Sequence, residues 1–226
     1  MKYDRMLPGI FKSRPNRFIA NIEVNGKIEV CHVKNTGRCK ELLTPDANVF
    51  VQESNNPNRK TKFSLISVIK DKKLINMDSQ VPNKVVHEWI LKDGLFKNIT
   101  LIKPESKYNN SRFDFYVEAD NKKIFIEVKG VTLEDKGVVR FPDAPTERGV
   151  KHIKELCDAI SEGYEAYVIF VIQMKDVLYF EPNSETHKAF AEALKDAKKS
   201  GVNILAVDCD VTKDTIEIRD FVDIRL

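Results

Sequence analysis

The chain has 226 residues, 42% hydrophobic and 31% charged, with a formal net charge of +3. That composition belongs to a globular protein with one large or two small domains, and excludes a disordered or fibrous chain. No run of 18 or more apolar residues exists, so no helix-spanning membrane protein is expected. The opening stretch MKYDRMLPGIFKSRPNRF lacks the apolar segment of a secretory signal, which makes a cytoplasmic location the expectation. Charge is unevenly placed: residues 1–80 carry 15 Lys/Arg against 8 Asp/Glu, and residues 81–226 carry 22 against 26. A basic part joined to an acidic one fits a first module that helps hold a polyanion, although a merely solvated surface fits the same numbers.

Residues 10–80 read as short strands. FIANIEV and KIEVCHV flank Asn25-Gly26, a dipeptide suited to a type I′ hairpin turn; NVFVQES, FSLISVIKD and KLINMDS follow. Five short β segments with turn residues between them predict a small OB-like barrel over 1–80. The pattern changes at Val81-Pro82-Asn83. Apolar residues at 85, 86, 89, 90 and 91, with Asn83 as N-cap and Gly94 as stop, predict a helix. Strands are expected at ITLIKPE, RFDFYVEA and KIFIEVKGV. A helix follows from about Pro145 to Glu162, ended by Gly163, then a doubly buried strand at YVIFVIQ, a helix from Ser184 to Ser200, and a strand at NILAVDCDV. Residues 81–226 are thus an α/β (α+β) unit, a mixed sheet flanked by helices. Cys31, Cys39, Cys157 and Cys209 show no metal spacing and read as reduced structural thiols.

RFDFYVEADNKKIFIEVKG carries the chemistry. With Asp120-Asn121 as a two-residue turn, paired residues have numbers that sum to 241. Phe115, Val117, Ile124 and Ile126 then share one sheet face. Asp114, Tyr116, Phe125 and Glu127 share the other, with Lys129 on the carboxylate side. Two opposed carboxylates repel unless something neutralises them, and a divalent cation would. Carboxylate oxygens suit Mg²⁺ or Mn²⁺, which activate water and stabilise charge on a phosphodiester. Asp114, Glu127 and Lys129 are therefore expected to be catalytic, with the two carboxylates on the metal. An exposed ion network is the competing reading, and it explains an isolated E-x-K better than it explains this facing set.

An Asp at a strand start followed by E-x-K on the next strand resembles the PD-(D/E)xK nuclease superfamily, with Phe113-Asp114 in place of the usual Pro-Asp. More specifically, LPGIFKSRPNRF, HVKNTGRCKELL, MDSQVPN, SRFDF, IEVKGVTL and FPDAPTERGVKHI resemble the sugar fermentation stimulation protein (SfsA) family over residues 7–153. That resemblance implies an OB-like domain, a restriction-endonuclease-like domain and DNA binding. The superfamily's habit of adding a carboxylate from the preceding helix implies Glu88 as a further metal ligand; a solvent-exposed Glu88 fits equally well.

FPDAPTERGVKH places Asp143, Thr146, Arg148 and His152 around a helix N-terminus, a ready phosphate site. Arg148 and His152 are neighbours on one helix face; His152, able to bind phosphate or move a proton, is expected to join the catalytic set, although it could sit half-buried, and Asp143 could simply cap the helix. In the first domain Arg14, Arg17, Asn35, Thr36, Gly37 and Arg38 sit among strand ends. Phe11 and Phe18 lie beside basic residues, where stacking on bases and burial in the core are both open. The expectation is a metal-dependent nuclease with Mg²⁺ or Mn²⁺, acting on DNA or RNA, with room for a homodimer. Nucleic acid would be held by Arg14, Arg17, Arg38, Thr146 and Arg148. The alternative is a non-catalytic DNA-binding regulator of sugar (maltose) metabolism on a nuclease-like scaffold.

Overall fold

A computed structural model describes residues 1–35 and 37–226; Thr36 lies outside the described residues. Among the described residues the first domain has six strands: β1 (Met6–Asn16), β2 (Ile19–Val24), β3 (Lys27–Val33), β4 (Asn48–Glu53), β5 (Phe63–Lys70) and β6 (Lys73–Asn76). They run in the order β3-β2-β1-β4-β5-β6, and a short parallel pairing of β3 with β5, from Cys31↔Phe63 to Val33↔Leu65, closes the ring. This is the expected OB barrel. Asn25 and Gly26 adopt φ of 52° and 75°, and Val24 pairs with Lys27, so the first hairpin turns as anticipated. Strand β1 was missing from the sequence reading because Pro8, Gly9 and Pro15 punctuate it. Its ladder with β2 is irregular between Phe11 and Asn16, where it bends around the barrel. The inward residues Phe11, Ile22, Val33, Val51, Leu65 and Val68 fill the interior, which settles Phe11 as core.

The second domain comprises α1 (Val81–Leu91), β7 (Ile99–Tyr108), β8 (Ser111–Ala119), β9 (Lys122–Val131), β10 (Leu133–Asp135), β11 (Val138–Phe141), α2 (Glu147–Ser161), β12 (Glu165–Ile172), β13 (Tyr179–Pro182), α3 (Lys188–Lys199), β14 (Asn203–Val211) and β15 (Ile216–Phe221). A mixed sheet runs β15-β14-β12-β9-β8-β7, with β12 parallel to both β9 and β14. Val81, Val85, Val86 and Ile90 of α1 pack one face, against Phe115, Val117, Ile126 and Ile169. Ile153 and Leu156 of α2, with Phe190 and Leu194 of α3, pack the other against Phe125, Val168 and Phe170. A small sheet β10-β11-β13 and strand β15 were not anticipated. None of the described helices is long and apolar enough to cross a membrane.

Helix α1 begins three residues earlier than expected. Gln80 occupies the N-cap without a side-chain hydrogen bond and Pro82 sits in the first turn, where its missing N–H is harmless. Asn83 is thereby freed from capping. The domains are sewn together by Gln173, which follows β12. Its side-chain amide donates to the carbonyls of Asn76 (3.1 Å) and Asp78 (3.1 Å), and its own carbonyl accepts the Asn76 N–H at 2.9 Å. Both side chains are buried, and each finds partners, as buried polar groups must. Met1 and Tyr3 cross to the second domain, where Tyr3 N–H donates to Asp214 and the Ile216 N–H donates to the Met1 carbonyl.

Candidate active site

The β8–β9 hairpin follows the register of its turn. Asp120 and Asn121 have φ of 50° and 62°, and the ladder pairs Ala119↔Lys122 through Phe115↔Ile126. It then stops, one pair short of Asp114 and Glu127. Asp114 turns its carboxylate along the sheet end: Oδ2 accepts the Val128 N–H at 2.7 Å and Oδ1 accepts from Asn83 Nδ2 at 2.7 Å. The two carboxylates are juxtaposed, but not as a ladder pair.

Glu127 is buried beneath α2 at 3% exposure. Its Oε1 lies 2.5 Å from Lys129 Nζ and 2.5 Å from His152 Nδ1. Its Oε2 is buried without a hydrogen-bond partner. Burial opposes the charge on Glu127, yet His152 and Lys129 outweigh it and hold the carboxyl below the usual range. Asp114 goes the other way. Burial first, and the Glu127 charge second, push it up to about 6, against the opposing pull of Val128 N–H, Asn83 and Lys129. One carboxylate is stabilised as an anion while its neighbour readily holds a proton. That split is a feature of functional sites.

His152 is engaged at both nitrogens. The Arg148 Nε–H donates to His152 Nε2 at 3.3 Å, so in the neutral ring the proton sits on Nδ1 and points to Glu127. Phe113 meets the ring edge-on at 6.1 Å. Arg148 itself is exposed. Thr146, not Asp143, caps α2: its Oγ1 accepts the Gly149 N–H at 3.0 Å. Asp143 instead lies against Gly37 of the barrel loop, where a Cβ would collide with its carboxylate.

Several expected residues fall elsewhere. The Glu88 carboxylate is 2.6 Å from the Met1 ammonium, on a side chain 43% exposed, so it secures the chain's first residue instead of joining Asp114 and Glu127. Five residues separate it from Asn83 on α1, which puts it on a different face of the helix. Glu118, two residues beyond Tyr116 on the Asp114 side of β8, is taken up instead by the Tyr116 hydroxyl, from which it accepts at 2.7 Å. Arg14 donates to four carbonyls, those of Gly37, Arg38, Arg17 and Asn35, at 2.7–2.9 Å. A guanidinium so occupied shapes the loop and has no free fork for a phosphate. Arg17 and Arg38 remain exposed around a pocket of about 250 Å³ that also holds Lys40. The Arg17 guanidinium sits 5.3 Å over the ring of Phe18, which is 49% exposed and therefore not core. Asn83 is the residue the sequence reading missed at the site; its signal was its place one position after the first-turn proline.

Residues 80–215 match the family model described as the sugar fermentation stimulation protein RE domain, and residues 13–77 match the SfsA N-terminal OB domain. The sugar fermentation stimulation protein homolog of Clostridium beijerinckii is 70% identical over 226 residues, covering both chains completely. That of Ruminiclostridium cellulolyticum is 63% identical over the same span. Among solved structures, SfsA of Pyrococcus furiosus in complex with Ca²⁺ superposes with a TM-score of 0.88 at 27% identity, over 100% of this chain and 98% of that one.

Proposed function

The chain belongs to the sugar fermentation stimulation protein family, and from that premise we propose that it is a metal-dependent nuclease hydrolysing phosphodiester bonds in DNA or RNA. The observation that carries the reading is the buried, unpartnered Oε2 of Glu127 beside a second carboxyl pushed up to about 6. A buried carboxylate oxygen left without a partner is costly, and a hard cation satisfies it better than any neutral donor.

The donor set fits Mg²⁺ or Mn²⁺. Asp114 and Glu127 would hold the ion. Among the described residues no group of three or more His, Cys, Asp or Glu side chains could form a full cage. A two-carboxylate seat completed by water and a substrate phosphate is the habit of Mg²⁺. The relative solved with Ca²⁺ supports a divalent ion in this fold. When bound, the ion would lower the pKa of a water and offset negative charge on the phosphodiester.

The protein's own groups do the rest. Lys129, with a side chain only 14% exposed, holds its ammonium against Glu127 and offers its remaining N–H donors to the charge that develops on a phosphoryl oxygen. His152 fixes the Glu127 rotamer through Nδ1 and steadies Arg148 through Nε2, so it acts as a positioning residue. Arg148, exposed at the first turn of α2, grips a neighbouring phosphate as a fork. Arg17, Arg38 and the Phe18 ring track the strand on the barrel.

The test is a cleavage assay over DNA and RNA panels with Mg²⁺ and Mn²⁺. Wild type should cut. Asp114→Asn, Glu127→Gln and Lys129→Ala should abolish cutting while binding persists. Variants that cleave as well as wild type would remove the assignment. Wild-type protein that binds with steep salt dependence and cuts nothing would leave the regulator reading instead.

A further inference from the structure

A groove of about 880 Å³ opens beside His152, between the β7–β8 hairpin and the first two turns of α2. Arg148 and His152 form its wall at the site. Lys107, Arg112 and Lys151, all exposed, project from the rest. Of its acidic residues, Glu105 lies 3.7 Å from Arg112 and Glu147 lies 3.2 Å from His187, so neither stands unpaired in the groove. The three cations make few fixed contacts. Lys107 has no ion-pair partner among the described residues, Arg112 has only that long contact, and Lys151 reaches Glu155 at 3.7 Å and donates one exposed hydrogen bond to the Asn110 carbonyl at 3.2 Å.

The position of the groove matters more than its charge. In the sheet β9 is central, with β8 and β7 on one flank and β12 on the other. The groove lies on the β8–β7 flank. On the opposite flank a cavity of about 170 Å³ is lined by Gly130, next to Lys129, by Gln173 after β12, and by Asn35 and Gly37 of the barrel loop. Gly37 also lines the basic barrel pocket of Arg17, Arg38 and Lys40. One concave track therefore reaches His152, which bonds Glu127, and the other reaches Gly130, the neighbour of Lys129; the second leads to the barrel and the first away from it.

We propose that the Lys107, Arg112 and Lys151 groove is a sugar-phosphate backbone subsite, which receives the nucleic-acid strand on the side of the scissile phosphate opposite the barrel. The proposal rests on the nuclease reading for its notion of a scissile phosphate. Its consequence is that a strand passes through the site instead of ending there. A chain-end pocket would need a wall beyond Arg148; the groove presents cations in that place.

Fluorescence anisotropy in EDTA, with labelled single-stranded DNA and RNA of about 30 nucleotides, tests it directly, since a barrel of this type covers about 4–16 nucleotides alone. The K107E/R112E/K151E variant is compared with wild type and with K188E/K198E/K199E, an equal charge change on exposed lysines of α3. The groove variant should bind at least about tenfold more weakly, with the slope of log K against log salt reduced by about 2, at about 0.7 per lost phosphate contact. The α3 variant should match wild type. K151E alone, a single exposed change, should show about a third of the effect on the slope and guards against misfolding of the triple variant. Unchanged affinity and slope in the groove variants, or equal weakening in the α3 variant, overturns the proposal. Cleavage is scored separately. Wild type that cuts linear but never closed circular single strands overturns the through-passage. Wild type that cuts nothing, with the binding difference intact, removes the nuclease reading and leaves the subsite.

Discussion

Replacing Asp114 by Asn should change how stability depends on pH, and the direction follows from the site. Burial and the Glu127 charge push the Asp114 carboxyl from an ordinary 3.8 to about 6. A group whose folded pKa is raised stabilises the fold fully below its unfolded pKa, and that stabilisation is lost as pH rises through the folded value. At neutral pH the ionised Asp114 is thus an electrostatic burden of up to about 3 kcal/mol, two units at about 1.4 kcal/mol each. Asn removes this burden. It also weakens the bond to the Val128 N–H if the amide turns its NH₂ inward; the part of that bond that depends on protonation is already contained in the shift to about 6. The informative quantity is therefore the change in the variant's ΔΔG between about pH 4.5 and about pH 7.5. It should move in favour of Asp114→Asn by about 1–2 kcal/mol, allowing for screening at the half-buried edge of the residue. Urea unfolding in EDTA at the two pH values measures it. A ΔΔG equal at both would refute the raised carboxyl, and with it the electrostatic case for a cation seat. Added Mg²⁺ should shrink the pH difference, because a bound cation brings the wild-type carboxyl back down.

Arg14→Ala orphans four carbonyls in the barrel loop and should destabilise the protein by about 2–4 kcal/mol in chemical denaturation. Arg17→Ala and Arg38→Ala should leave stability within about 0.5 kcal/mol and weaken nucleic-acid binding instead; the opposite pattern would reverse the roles given to these arginines. Gly130→Ala places a methyl 2.7 Å from Gln173 Oε1 and 2.8 Å from Pro82 Cγ. It should cost about 1–3 kcal/mol by thermal melting, and lower cleavage because Lys129 is the adjacent residue. Unchanged melting would show that the junction yields easily.

How much of this was legible depended on whether a feature was local. The type I′ turn at Asp120-Asn121 fixed the β8–β9 register by the chemistry of two residues, and every pair from Ala119↔Lys122 to Phe115↔Ile126 obeys it. Extrapolating one more pair failed, because the side chain of Asp114 takes over the Val128 N–H. Alternation along a strand gave the core faces correctly but could not tell a buried Glu127 from an exposed one. Its burial comes from α2, which is distant in sequence. Arg14 looked like a phosphate ligand for the same reason. Composition records a cation, and only the closed loop shows that carbonyls have already taken its donors. Glu88 was placed by a superfamily habit, and the position of the chain's own first residue set its partner instead. Strand β1 was hidden by Pro8 and Gly9, residues that weaken a straight strand and serve a bent one.

The barrel does more than supply positive charge, because its attachment passes through the site itself. Lys129 is followed by Gly130, whose missing side chain lets Pro82 of α1 and Gln173 after β12 close on the strand from two sides. Pro82 precedes Asn83, which holds Asp114. Gln173 grips Asn76 and Asp78 at the end of the barrel. One small residue therefore joins the carboxylate support, the lysine and the interdomain seam. A shift of the barrel would be felt at Asp114 and Lys129 through rigid, hydrogen-bonded contacts. The reverse also holds: ions or phosphates that reorder these two residues would press on the seam. A flexible tether would give no such contact between barrel and carboxylates, and Gln173 is the residue whose hydrogen bonds make it.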